Sequence, residues 1–213
     1  TRTPVALVPG SSRGSGAAVA ERFAADGYDV AVTYHAAAEA AEETAAAVRE
    51  HGREAAVVGA DVSDPEAASR LVDATVAELG GLDHVVNNAG IDQHVYTENL
   101  SPADFDRVMD VNVNSVFAVT KAALPYLRGS DADPTPSVTN VSSILAFTGA
   151  PVEVHYAGSK GAILSVTKSH ASDFAPDIRV NAVAPGHVET NMTSDRSEAE
   201  KRDELAGIPM GYF

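Results

Sequence analysis

The chain has no cysteine and no tryptophan, and only four of its fifteen basic residues are lysines: Lys121, Lys160, Lys168 and Lys201. Without cysteine there is no disulfide framework and no thiolate metal site. No apolar run approaches the roughly 20 residues a membrane-spanning helix needs. The opening TRTPVALVPG also lacks the charged-then-apolar pattern of a secretory leader. A cytoplasmic location is therefore expected. Positive charge is scarce, with 15 Lys and Arg against 30 Asp and Glu, a formal net charge of −15. That balance argues against nucleic acid and anionic membrane as partners, since both are polyanions. We read the acidic surface as a hypothesis of salt adaptation, because abundant counterions screen such self-repulsion. Folding and activity indifferent to KCl would rule it out.

What is present reads as one domain over residues 1–213, long enough to bury a core unaided. Short β-branched runs alternate with longer helical patterns. Strands are expected at 5–8, 28–34, 54–62, 82–90, 137–143 and 178–183. Helices are expected near 17–25, 37–50, 65–79, 102–127 and 154–174. Ser63-Asp64-Pro65 and Ser101-Pro102 supply cap and first-turn signals, and Pro125 is expected to end or kink the fourth helix. Such alternation predicts an α/β protein whose parallel sheet is covered on both faces. The acidic loop at 129–136 reads as solvated. His84 and His94 lack metal-ligand spacing, and His155 is expected to line the pocket, so no metal site is expected.

The first strand runs directly into VPGSSRGSGA (8–17), with glycines at 10, 14 and 16 ahead of a helix. Unpaired N–H groups at a helix start attract phosphate, and glycine lets the backbone come close to a diphosphate. The spacing G-x-x-x-G-x-G is related to the dinucleotide fingerprint without matching it. Gly10-Ser11-Ser12-Arg13-Gly14 also fits G-x-S-x-G, a hydrolase nucleophile elbow with Ser12 as nucleophile. No earlier loop is available to supply its second oxyanion donor, and Gly16 has no role in an elbow.

Further along, Tyr156 and Lys160 stand four residues apart, a spacing that by itself marks only neighbours on a helix. The pair gains meaning from its company. The glycine turn, Asp61-Val62, NNAG at 87–90, Asn112, Ser142-Ser143, Tyr156/Lys160 and PGHVET at 185–190 follow one another across nearly the whole chain. With these motifs the sequence resembles the classical short-chain dehydrogenase/reductase family, nearest in character to the 3-oxoacyl thioester reductases. The resemblance implies a Rossmann-type doubly wound parallel sheet, six strands of which are visible. It also implies a ketone–alcohol oxidoreductase assembled as a dimer or tetramer.

The resemblance implies Tyr156 as proton donor, Ser143 as the hydroxyl that orients substrate, and Asn112 as anchor of a water relay to Lys160. Lys160 also holds the nicotinamide ribose and, by its charge, eases proton loss from a tyrosine whose free pKa is near ~10. Ser142 is expected to be structural. For the cofactor, the resemblance implies that Gly10, Ser11, Ser12, Arg13, Gly14 and Gly16 wrap the adenosine and diphosphate. Tyr34 and His35 follow the second strand, Asp61 and Val62 meet the adenine, and Asn88, Ala89 and Gly90 lie by the ribose. Tyr156, Lys160, Pro185, Gly186, Val188 and Thr190 hold the nicotinamide end. Tyr34 stands where NAD-preferring relatives carry an acid, and Arg13 can pair with a 2′-phosphate, so NADP(H) is favoured over NAD(H).

Pro9 and Ser15 depart from the family's usual threonine and isoleucine. The pocket walls are expected from residues 92–97 and 144–155, with a lid at about 190–208. The chain ends at Phe213, where family members continue with a seventh strand, so a shortened nucleotide-binding module with little turnover stands as the alternative.

Overall fold

The computed structural model describes residues 2–132, 135–188, 202, 205–208 and 210–211. The expected lid, Thr190 included, therefore lies almost wholly outside the described residues. Six strands appear among them: β1 (Val5–Val8), β2 (Asp29–Tyr34), β3 (Ala55–Gly59), β4 (His84–Asn87), β5 (Ser137–Val141) and β6 (Arg179–Val183). All pair in parallel, in the order β3-β2-β1-β4-β5-β6. The helices are α1 (Gly14–Ala25), α2 (Ala38–Glu50), α3 (Pro65–Leu79), α4 (Pro102–Met109), α5 (Ser115–Arg128), α6 (Leu145–Thr148) and α7 (Val154–Phe174). This is the doubly wound, Rossmann-type α/β sheet. No helix among the described residues is long and apolar enough to cross a membrane.

Successive strand residues face opposite sides, and both sides are dry. Leu7, Ala31, Val85 and Val138 pack with Leu71 and Val72 of α3 and Val119, Ala123 and Leu127 of α5. Val8, Val30, Val32 and Val86 pack with Ala20 and Ala24 of α1 and Ala41, Ala45 and Val48 of α2. Burial on both faces explains why the strands read as continuous apolar runs. The alanines keep α1 and α2 close to the sheet. Strand order reverses between β1 and β4, so their carboxyl ends open a crevice at the switch point.

Both cap signals operate. The Asp64 carboxylate accepts from the Glu66 N–H, and the Ser101 hydroxyl accepts from the Asp104 N–H at 3.1 Å. Pro125 does not end its helix, because it sits in the last turn, where a missing N–H costs one bond. The irregularity falls earlier, in a π-helical turn at Asp110–Asn114 between α4 and α5, where the Ser115 N–H reaches the Asp110 carbonyl. That turn carries Asn112. The short helix α6 had no signal in the sequence.

Candidate active site

The crevice is a cavity of about 1340 Å³ that runs from the glycine turn to Tyr156 and Lys160. At its glycine end, Gly10 has φ +77°, and a Cβ there would lie 2.8 Å from the Ala89 Cα. A Cβ on Gly16 would run into the Gly10 carbonyl and stand 2.5 Å from the Asn88 amide nitrogen. The Asn88 amide donates to the Gly10 carbonyl at 3.0 Å, tying the NNAG turn to the glycine turn. α1 begins with neither a side-chain cap nor an acidic residue in its first turn. Its leading N–H groups are thus left to an anionic ligand, and the turn fits a diphosphate.

Ser12, Arg13, Gly14, Tyr34, His35, Asp61, Val62, Ala89 and Gly90 all line this cavity, as sequence reasoning placed them. Ser11 does not. It is fully buried, and its hydroxyl accepts the Thr33 N–H at 2.9 Å, while the Thr33 hydroxyl accepts the Gly10 N–H at 2.9 Å. Ser11 and Thr33 together lock the turn onto β2, and nothing in the sequence marked Thr33 for this. The Tyr34 ring lies over Gly59 of β3, where a Cβ would be 2.9 Å from its Cζ. The Asp61 carboxyl is held below its ordinary value, first by the Ser63 hydroxyl at 2.6 Å and further by the Ser63 N–H, His35 and Arg107, against the cost of burial.

At the far end, Ser143, Tyr156, Lys160, Pro185, Gly186 and Val188 line the same cavity. Lys160 is 4 % exposed, with its ammonium 5.5 Å from the Tyr156 ring centre and donating to the Val141 carbonyl at 2.9 Å. Burial pulls the ammonium from its ordinary value down to about 8, against the opposing field of Asp92. Ser142 and Ser143 both line the cavity; the Ser142 hydroxyl donates to the Lys160 carbonyl at 2.7 Å, and the Ser143 hydroxyl accepts the Leu145 N–H at 3.2 Å. Asn112 is completely buried. Its carbonyl oxygen accepts the Ile91 N–H at 2.8 Å, and its amide donates to the Ile91 carbonyl at 2.9 Å and the Ser159 hydroxyl at 3.0 Å. Gly90 lies against both Asn112 and Lys160, where a Cβ would meet the two polar heads at 3.3 and 3.5 Å.

Beneath these groups runs a buried polar chain. Asn87 donates to Thr120 at 3.2 Å and to Asn140 at 2.8 Å, and Asn140 donates to Thr167 at 2.9 Å. It pins β4 and β5 to α5 and α7, and so fixes the helix that carries Tyr156. His155, expected on the pocket wall, is instead fully buried and away from the cavity lining. It occupies the inward face of α7, whereas the next residue, Tyr156, faces the crevice.

One cluster had no sequence signature. His94 Nε2 lies 3.3 Å from Asp92 and 3.0 Å from Glu153, and the three ligand-type atoms fall within 4.8 Å of one another. Short-range spacing around His94 missed it because Glu153 arrives from the loop before α7.

A family model described as short chain dehydrogenase matches residues 4–201. Over 211 residues the chain is 38% identical to glucose 1-dehydrogenase 2 of Bacillus subtilis, covering 98% of this chain and 81% of that protein. Over 212 residues it is 33% identical to a 3-oxoacyl-(acyl-carrier-protein) reductase of Staphylococcus aureus, covering 99% and 85% respectively. A short chain dehydrogenase from Burkholderia cenocepacia, solved in complex with NADP, superposes with a TM-score of 0.87 at 37% identity, covering 96% of this chain and 82% of that one.

Proposed function

Because the chain belongs to the short-chain dehydrogenase family and is an oxidoreductase of carbonyl and alcohol substrates, we propose that it interconverts a small ketone and a secondary alcohol with NADP(H), using Tyr156 as general acid and base. The observation that carries this reading is the buried Lys160 ammonium 5.5 Å from the Tyr156 ring, in a cavity continuous with the glycine turn.

A bound nicotinamide cofactor supplies the hydride for reduction and accepts it in oxidation. Ser143 donates a hydrogen bond to the substrate carbonyl oxygen and polarises it. Tyr156 gives its phenolic proton to that oxygen as charge develops there. The Lys160 cation stabilises the tyrosinate left behind. Asn112 holds the Ile91 backbone against α7, and a water relay anchored there restores the proton through Lys160. In oxidation the same groups run in reverse.

The glycine cradle and the open start of α1 support a dinucleotide diphosphate. Arg13 at the turn, and Tyr34 in place of an acid at the end of β2, support a 2′-phosphate and hence NADP(H). The B. cenocepacia relative holds NADP. Assembly into a dimer or tetramer belongs to the same reading, and light scattering that reports a monomer would count against it. The family match leaves the Ser12 hydrolase reading without support.

The test is NADPH oxidation by the wild-type chain with a panel of ketones that includes acetoacetyl thioesters, repeated with Tyr156→Phe. Turnover that Tyr156→Phe reduces roughly 100- to 10,000-fold, with NADPH binding retained, is expected. Binding without turnover across the panel would favour the nucleotide-binding module.

A further inference from the structure

The glycine turn is anchored by side chains from elsewhere in the fold. Among the described residues, no backbone–backbone hydrogen bond outside the helices and the sheet ladder involves residues 9–12. Pro9 has no N–H to give, and Gly10 takes the left-handed φ of +77°. Thr33 of β2 engages the turn twice. Its hydroxyl accepts the Gly10 N–H and its N–H donates to the Ser11 hydroxyl, both at 2.9 Å. Asn88 donates to the Gly10 carbonyl at 3.0 Å, and Thr44 of α2 adds a longer contact, its hydroxyl 3.4 Å from the Ser12 carbonyl. Ser11 and Thr33 are 0% and 2% exposed, so water does not compete for the reciprocal pair. Thr33 is itself fixed by the sheet, in register with Val58 of β3. Both backbone polar groups of Gly10 are thus committed to the protein. The N–H groups that meet an anion are those further along, toward the start of α1.

We propose that Ser11 and Thr33 are positioning residues that set the affinity for the dinucleotide, NADPH and NADH alike, by holding the glycine turn in its binding geometry before the cofactor arrives. This rests on the proposed reading of the glycine end as a diphosphate site. A turn that leaves this geometry has to be restored on binding, and the apparent affinity falls with the fraction of molecules that are competent. Losing either hydroxyl leaves an N–H without its acceptor, that of Gly10 in the absence of Thr33 and that of Thr33 in the absence of Ser11. Other conformations of the turn are then favoured. The diphosphate is common to both cofactors, whereas the 2′-phosphate assigned to Arg13 belongs to NADPH alone. Thr33 also lines the cavity but Ser11 does not, so an effect at Ser11 reaches the cofactor only through the turn.

The experiment titrates NADPH and NADH, followed by the fluorescence of the reduced nicotinamide, into the wild type, Ser11→Ala, Thr33→Val and Thr33→Ser, with melting temperatures measured alongside. Ser11→Ala and Thr33→Val are each expected to raise both Kd values about tenfold, as follows when about a tenth of the molecules hold the turn ready. Thr33→Ser keeps the hydroxyl and should bind like the wild type. Thr75→Val is the control: Thr75 is a buried threonine of α3 whose hydroxyl donates to the Leu71 carbonyl, away from the cavity lining. It should lower the melting temperature without changing either Kd. Lower melting temperatures with unchanged Kd values in Ser11→Ala and Thr33→Val would make the pair structural only and overturn the inference. A loss confined to Thr33→Val would mean direct contact with the cofactor, and a loss larger for NADPH than for NADH would move the effect to the 2′-phosphate. Either result overturns it, as does a Thr33→Ser that binds as weakly as Thr33→Val. All of these leave the proposed function standing, whereas a wild type that binds neither cofactor overturns both.

Discussion

At the glycine end of the pocket the groups come from contiguous sequence, Gly10–Gly16 in one turn and Asn88–Gly90 in another, and much of the recognition is backbone. At the reacting end they come from separated segments: Asp92, Asn112, Ser143 and the Glu153–Lys160 stretch. The first end is shaped by missing side chains and an open helix start. The second is shaped by buried polar atoms and charges held by partners far away in the chain. Binding a diphosphate needs N–H groups and close approach, which a local turn supplies. Moving a proton needs tuned charges at set distances, which only the tertiary fold supplies.

The contrast can be broken at the glycine end first. Gly10→Ala adds a Cβ 2.8 Å from the Ala89 backbone at a φ of +77°. With strain of roughly 1–3 kcal/mol, NADPH affinity is expected to fall roughly 10- to 100-fold. Gly52 has φ +72° with nothing within 4 Å of a built Cβ, so Gly52→Ala is the matched control. It should lower the melting temperature without changing the NADPH Kd in a fluorescence titration. Equal losses of affinity would mean that the glycine turn acts through stability alone. A smaller effect is expected of Arg13→Ala, which should raise the KM for NADPH about tenfold and that for NADH much less, through loss of a charge-assisted contact. Equal shifts for both cofactors would remove the preference for NADP(H).

The smallest effect belongs to the reacting end. Burial disfavours the charged form of Lys160, so its ammonium holds a proton below about 8 and loses it above. The kcat/KM for reduction reports the free enzyme and is therefore expected to bend downward as pH rises through about 8, by about twofold at the midpoint. A profile flat from pH 6 to 10 would show that Lys160 does not supply the cation.

Much of the fold was legible because parallel strands buried on both faces read as apolar runs, and Asp64 and Ser101 mark helix starts. The glycine turn, Ser143, Tyr156 and Lys160 were marked by the order of motifs that carries the family resemblance, and all of them line one cavity. Ser11 gave no sign of its buried place off the cavity lining, because its partner, the Thr33 N–H, belongs to a neighbouring strand. Ser159, whose hydroxyl accepts from the Asn112 amide, carried no signal in the sequence. Periodicity showed α7 as a helix, but it could not tell that His155 points inward while Tyr156 faces the crevice. The Asp92–His94–Glu153 cluster was invisible for the same reason, since it spans some sixty residues of sequence and closes only when the two loops meet.

The most direct measurement supplies NADPH deuterated at both C4 positions together with dihydroxyacetone or butanone, and follows the label by mass spectrometry. One deuterium on the carbinol carbon for each cofactor oxidised is the expected result, lost in Tyr156→Phe although that variant still binds NADPH. Oxidised cofactor without deuterium in the alcohol, or full transfer by Tyr156→Phe, would contradict hydride and proton delivery at this end of the pocket.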